Sequence, residues 1–276
     1  MESKNVWQLI SLYLSTTLAL LRHLVLHILT FNQSIIKFMD SILSFYFRSC
    51  GLSPIAVDLD DQTTLHFWVT NHRRFDKPTL VMVHGYGGNP LWQFIYQVGP
   101  LSRRAKCLLN GLGKLGVDRF SVYAISYGGF VGYRMAEMRP DAVERVVIMS
   151  SGLLYSDEQR AAQLSEIGRH PSEILVPKKP DDLRLLLMYD HCRKEKIELA
   201  NYLVEKKADT NLPVISQETL IIWGDHDKVF PLELAYKLQR HLGSNSRLEI
   251  IKNAGHAANM ESPDEINRLI LSFVSS

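Results

Sequence analysis

The chain has 276 residues, 46% of them apolar, which allows one large α/β domain with an excursion and a sizeable core. Its 31 basic and 29 acidic residues leave a formal charge of +2 and are spread without a basic block or stripe, which argues against nucleic acid as a partner. Three cysteines, Cys50, Cys107 and Cys192, are odd in number and far apart; they form neither a disulfide framework nor a zinc pattern and fit a reducing compartment or the cytosolic face of a membrane.

The N-terminus departs from that composition. Val6 to Leu21 carries no charge, and apolar character resumes after Arg22 and His23 through Phe31. A spanning helix needs about 20 apolar residues, and Arg22, His23 and His27 interrupt this run. On a helical wheel Gln8, Ser11, Ser15 and Arg22 make one narrow polar stripe on an apolar rod, the pattern of an interfacial or anchoring helix. Ile35 to Phe47 repeats the theme, broken by Lys37 and Asp40. The expectation is membrane association through residues 6–47 on a cytosolic face, with helices packed on a cytoplasmic catalytic domain or a cleaved signal as the alternatives. No small-x-small cleavage site is evident.

From Ile55 the pattern has period two: Ile55 to Leu59, a turn at Asp60-Asp61-Gln62-Thr63, then Thr64 to Val69, a hairpin. Asn71 to Lys77 is a charged loop, and Thr79 to Val83 is an apolar run of the kind buried on both faces of a parallel sheet. It leads into His84-Gly85-Tyr86-Gly87-Gly88. Trp92 to Arg104 and Ala105 to Leu115 read as two helices that nearly touch, followed by the strand Phe120 to Ala124 and a helix from Gly128 to Arg139. Ala142 to Met149, Thr219 to Trp223 and Leu248 to Ile251 are further strands. Leu153 to Asn211 is charged and helix-like, and Ser262 with Pro263 opens a last amphipathic helix that ends at Val274.

Ala124-Ile125-Ser126-Tyr127-Gly128-Gly129 sits at the turn between a strand and a helix, the context of a nucleophile elbow with small residues two before and two after the serine. After the strand ending at Trp223 comes Gly224-Asp225-His226-Asp227, a turn that presents a carboxylate; Asp227 is assigned as the acid, Asp225 as a turn cap and His226 as a loop residue. After Ile251 comes Lys252-Asn253-Ala254-Gly255-His256, where Gly255 lets the loop turn back and aim His256 inward. Ser126, Asp227 and His256 thus occur in the chain order of a hydrolase triad, as nucleophile, acid and base. The oxyanion donors expected are the backbone N–H groups of Tyr86 and Tyr127, with His84 and Gly85 supporting the loop. No cofactor and no metal are expected, and Gly85-Tyr86-Gly87-Gly88 lacks the Lys-Ser/Thr of a P-loop.

These residues resemble the serine α/β-hydrolases grouped around monoacylglycerol lipases and the hydrolases of meta-cleavage products. The resemblance runs from about Ile55 to the C-terminus. It implies an α/β-hydrolase fold: a mostly parallel sheet with helices on both faces and a helical lid, preceded here by hydrophobic N-terminal helices. The implied division is an N-terminal segment 1–50, a core of 51–152 and 212–276, and a lid 153–211 whose Leu153, Leu154, Leu185 to Met188 and Tyr189 would line an acyl pocket. The implied activity is hydrolysis of a carboxylic ester, lipid-like, for example a monoacylglycerol. Carbon–carbon bond hydrolysis and non-catalytic ligand binding are the alternatives. One departure stands out. In the family a strand and loop intervene between the helix after the oxyanion loop and the helix before the elbow, whereas here Arg104 runs straight into Ala105. A parallel strand with its crossover takes about 30 residues, so one unit is expected to be absent, leaving unpaired edges on either side of the gap and one wall of the site missing.

Overall fold

The strands anticipated from hydrophobic patterning pair into one sheet in a computed structural model, which describes residues 37–58, 60–71, 77–86, 88–108, 118–159, 161 and 212–276. The chain divides into two compact units at Phe45 and Tyr46, inside a helix of residues 37–49 (α1). In the described part of the first unit Phe38, Ile42 and Phe45 are exposed at helical spacing, so they share one face. The remaining N-terminal segment, with its polar stripe, lies outside the described residues.

The described residues of the second unit hold eight strands in the order β1-β2-β4-β3-β5-β6-β7-β8. The hairpin is β1 (Leu52–Asp58) and β2 (Thr64–Thr70), in antiparallel register from Leu52↔Thr70 to Asp58↔Thr64. Pro54 is tolerated because β1 is an edge strand. Then follow β3 (Thr79–Val83), β5 (Phe120–Ile125), β6 (Val143–Met149), β7 (Glu218–Gly224) and β8 (Ser246–Ile251), paired in parallel. Every residue of β5 is buried, as its unbroken apolar run requires of a strand covered on both faces.

The gap expected after Arg104 is not a gap. Helix α3 (Ile95–Arg104) ends at Ala105 in extended conformation, and β4 (Lys106–Leu108) occupies the slot between β2 and β3. It pairs in parallel with β3 from Thr79↔Lys106 to Val81↔Leu108 and antiparallel with β2 at Val69↔Leu108. The helical reading of Ala105 to Leu115 is therefore wrong at its start. An open edge of β3 offers backbone partners that helical periodicity in the sequence cannot outbid. A strand thus fills the place expected to be vacant, and its described residues are Lys106–Leu108. The helix read from Trp92 is likewise two: α2 (Pro90–Gln93), capped by Asn89 whose side chain accepts from Trp92 N–H, and α3, separated at Phe94.

Helices cover both faces. Side chains alternate along β5, so Val122 and Ala124 join the core with Tyr133 and Ala136 of α4 (Tyr127–Met138) and Leu234, Ala235 and Leu238 of α5 (Glu233–Leu242). Tyr123 points the other way, its ring 5.8 Å from that of Phe94. The C-terminal elements are α6 (Ala258–Glu261) and α7 (Pro263–Val274). Ser262 holds the N-cap position of α7 with Pro263 at its first residue, but the Ser262 side chain makes no capping bond.

Candidate active site

Ser126 stands between β5 and α4 with φ 54° and ψ −120°, a conformation L-residues avoid at a cost of roughly 1–3 kcal/mol. It persists because its surroundings fix it. Ser126 N–H donates to the Met149 carbonyl at 2.8 Å. At Gly128 a Cβ would lie 2.5 Å from the Val83 carbonyl oxygen and 2.6 Å from that of His84, so only glycine lets α4 pass this close to the end of β3. Gly85 approaches from the other side: a Cβ there would be 3.0 Å from the Ser126 Cβ. The small residues read from the sequence around the serine thus have a steric reason.

Asp227 follows β7 in a tight turn and is 8% exposed. Its Oδ1 accepts the N–H groups of Val229 at 2.8 Å and Phe230 at 2.9 Å, and its Oδ2 faces His256 Nδ1 at 2.9 Å. Turn-capping was expected of Asp225. It falls to Asp227, because Asp225 Oδ1 is buried without a hydrogen-bond partner and its Oδ2 sits 3.7 Å from Lys252 Nζ. His226 is an exposed loop residue whose N–H donates to the Ala254 carbonyl.

His256 follows β8, and its Nε2 lies 3.0 Å from Ser126 Oγ. With Nδ1–H donating to Asp227, Nε2 is left to accept the serine hydroxyl proton. The ring meets Phe230 edge-on, centroids 5.5 Å apart, and Phe230 in turn meets Tyr155 at 5.9 Å. The Phe230 carbonyl is held by Trp223 Nε1–H at 2.9 Å. Neither aromatic partner was read from the sequence; Phe230, three residues past the acid in a polar turn, was the available signal. Glu261 was missed as well: its carboxylate accepts the Gly255 N–H at 2.8 Å and pins the loop that carries His256.

Around the serine, Tyr127 opens α4 and Tyr86 follows Gly85, both half-buried, and burial pushes the Tyr86 phenol above its usual range. His84 Nδ1 is 2.9 Å from the Gly85 carbonyl oxygen, inside the loop it was expected to support. Of the residues expected to line an acyl pocket, Leu153 is buried and Leu154 gives its carbonyl to Lys237 Nζ at 2.8 Å. Leu185 to Tyr189 lie outside the described residues. No group of metal-ligating side chains occurs among the described residues.

A family model for the alpha/beta hydrolase fold matches residues 185–263, a span that includes both Asp227 and His256. Monoacylglycerol lipase ABHD6 from Mus musculus is 23% identical over an alignment of 314 positions that covers 92% of this chain and 93% of the lipase. The alignment is longer than the chain, so this chain is the shorter where they differ. A 2-hydroxy-6-oxononadienedioate/2-hydroxy-6-oxononatrienedioate hydrolase from Pseudomonas sp is 24% identical over 64% of this chain and 69% of the relative. Among solved structures a membrane phospholipase A superposes with TM-score 0.69 at 19% identity, covering 94% of this chain and 96% of that one. The chain has the α/β-hydrolase fold. Carboxylesterase CesB from Bacillus subtilis shares this fold at 16% identity, TM-score 0.59, over 88% and 98% of the two chains. The eight-stranded order with β4 between β2 and β3 is the frame on which this chain hangs Ser126, Asp227 and His256, at the ends of β5, β7 and β8.

Proposed function

We propose that the chain is a serine hydrolase that cleaves a carboxylic ester of lipid-like character through an acyl-enzyme. The observation that carries this reading is the relay from Ser126 Oγ to His256 Nε2 at 3.0 Å and from His256 Nδ1 to Asp227 Oδ2 at 2.9 Å. His256 takes the Ser126 proton as the serine oxygen attacks the ester carbonyl. Asp227 holds the imidazole in the tautomer that accepts at Nε2. His256 then returns the proton to the leaving alcohol, and water repeats the cycle on the acyl-enzyme. The negative charge on the carbonyl oxygen is met by the backbone N–H groups of Tyr127 and Tyr86, each such donor typically worth about 10²- to 10³-fold in rate. His84 and Gly85 shape that loop, and residues 153–211 form the lid that selects the acyl chain.

The names of relatives support the ester class: a monoacylglycerol lipase aligns over nearly the whole chain, and a membrane phospholipase A shares the fold. The Pseudomonas relative supports a second reading, hydrolysis of a carbon–carbon bond in a meta-cleavage product. Residues 6–47 attach the chain to a membrane at its cytosolic face; the exposed row Phe38, Ile42 and Phe45 supports this. Among the described residues no helix is long and apolar enough to cross a membrane.

The test is covalent labelling of the full chain by a fluorophosphonate probe, with Ser126→Ala as control, followed by turnover of monoacylglycerols of graded chain length and of a vinylogous diketone. Labelling at Ser126 with monoacylglycerol turnover is the expected result. Turnover of the diketone alone would favour the second reading, and a parent chain that labels no better than Ser126→Ala would sink both.

A further inference from the structure

Gln97 on α3 and Asn259 on α6 are 0% and 1% exposed, yet neither carries chemistry in the reading above. They are a reciprocal amide pair. Gln97 Nε2 donates to the Asn259 carbonyl at 2.7 Å, and Asn259 Nδ2 donates to Gln97 Oε1 at 3.2 Å. Asn259 Nδ2 also donates to the carbonyl of Gln93 at 2.6 Å. Gln93 completes the path, because its Oε1 accepts the N–H of Gly85. One end of this chain of bonds is three residues from His256. The other is the glycine whose backbone lies against Ser126.

Two helices can be held together by apolar side chains at lower cost, since replacing both partners of a buried hydrogen bond by apolar groups is often neutral or stabilising. What amides add is direction. Their bonds fix the distance and angle between the segments they join, and the low dielectric of the interior makes a shifted partner expensive. The segments joined here are the loop that carries the base and the loop expected to stabilise the oxyanion. These must stay in register to about 0.5 Å for transition-state charge to be met as it forms. Glu261 pins the same base loop at Gly255, so His256 is bracketed by two side-chain anchors.

We infer that Asn259, Gln97 and Gln93 are positioning residues that lock the base loop to the oxyanion loop, so that the approach of His256 and the placement of the oxyanion donors are set together. The inference rests on the hydrolase reading of Ser126. None of the three touches the Ser126–His256–Asp227 relay; they act through Gly85 and through the loop of His256. Breaking the lock leaves ground-state binding intact and weakens what is met only in the transition state.

The experiment measures kcat and KM for p-nitrophenyl butyrate with the full chain and its Asn259→Leu, Gln93→Leu and doubly substituted forms, with thermal melts beside them. Each single change is expected to lower kcat by about 10- to 100-fold with KM within about threefold, as for misplacement of a preorganised site. The double form should be no slower than the slower single one, because both break one path. Gln93 is only half-buried, so Gln93→Leu decides the matter if Asn259→Leu does not fold. A folded Gln93→Leu with kcat within twofold of the parent, or losses that multiply in the double form, would overturn the role while leaving the hydrolase reading in place. A parent chain with neither turnover nor probe labelling at Ser126 overturns both, since there is then no reaction to position.

Discussion

Asp227 Oδ2 lies 2.9 Å from His256 Nδ1 while Asp227 Oδ1 holds the N–H groups of Val229 and Phe230, so one carboxylate both orients the base and shapes the turn that presents it. The two roles are separable by substitution. Asp227→Asn keeps an oxygen for the turn but faces His256 with a donor, which selects the wrong tautomer; kcat should fall by about 10⁴-fold with the melting temperature nearly unchanged. Asp227→Ala removes the turn acceptor too, and should lose about 2 kcal/mol and so melt roughly 4–8 °C lower. Stopped-flow or plate kinetics beside calorimetry reads both.

Gly128→Ala places a methyl group 2.5 Å and 2.6 Å from two carbonyl oxygens that belong to backbone. Neither can rotate away, so α4 must move off the end of β3. A loss of about 1–3 kcal/mol is expected, with a larger fractional loss of activity than of stability, because the moving helix starts at Tyr127. Gly243→Ala is the control: its φ of +65° strains alanine, but nothing lies within 4 Å, so only stability should fall.

Hydrogen exchange should divide the sheet. Among the described residues β2 and β4 are registered at one pair, Val69↔Leu108, whereas β6 and β7 are registered at five. Amides of β1 and β2 are therefore expected to exchange through a local opening well ahead of those of β5 to β7, which should report the global unfolding free energy. Equal protection across the sheet, measured by mass spectrometry, would show that the short strand closes the sheet as firmly as a long one.

Burial and the nearby Glu137 carboxylate push the Tyr133 phenol up to about 12, against a pull downward from its backbone hydrogen bond at Ile215. A folded-state pKa above the unfolded one gives stability that is complete below about pH 10 and is lost as pH rises towards 12. The unfolded phenol ionises first, so stability should fall there by up to about 1.4 kcal/mol per pH unit for this group. Tyr133→Phe should flatten that alkaline limb in denaturant melts, though it also gives up the 2.6 Å bond to the Pro213 carbonyl and so starts less stable at neutral pH.

The placement of Ser126, Asp227 and His256 was legible because each stands where an apolar strand stops at a glycine-containing turn, and local turn chemistry survives into the fold. Three things were not. The strand Lys106–Leu108 was hidden because its residues carry helical periodicity and only the vacancy beside β3 makes them extend. Asp225 and Asp227 share one turn, and which carboxylate caps it depends on the direction of two N–H groups that no spacing encodes. Gln97 and Asn259 read as ordinary polar positions on helices; that they face each other across 162 residues of chain is a fact of packing alone.

The order of strand pairing leaves a practical opening. Ser126, Asp227 and His256 all depend on β5 to β8, which pair with one another without help from β4. The span between β4 and β5 can therefore be lengthened or exchanged as a cassette, while the rate at which a small, promiscuous reagent consumes that serine stays a constant by which inserts can be ranked.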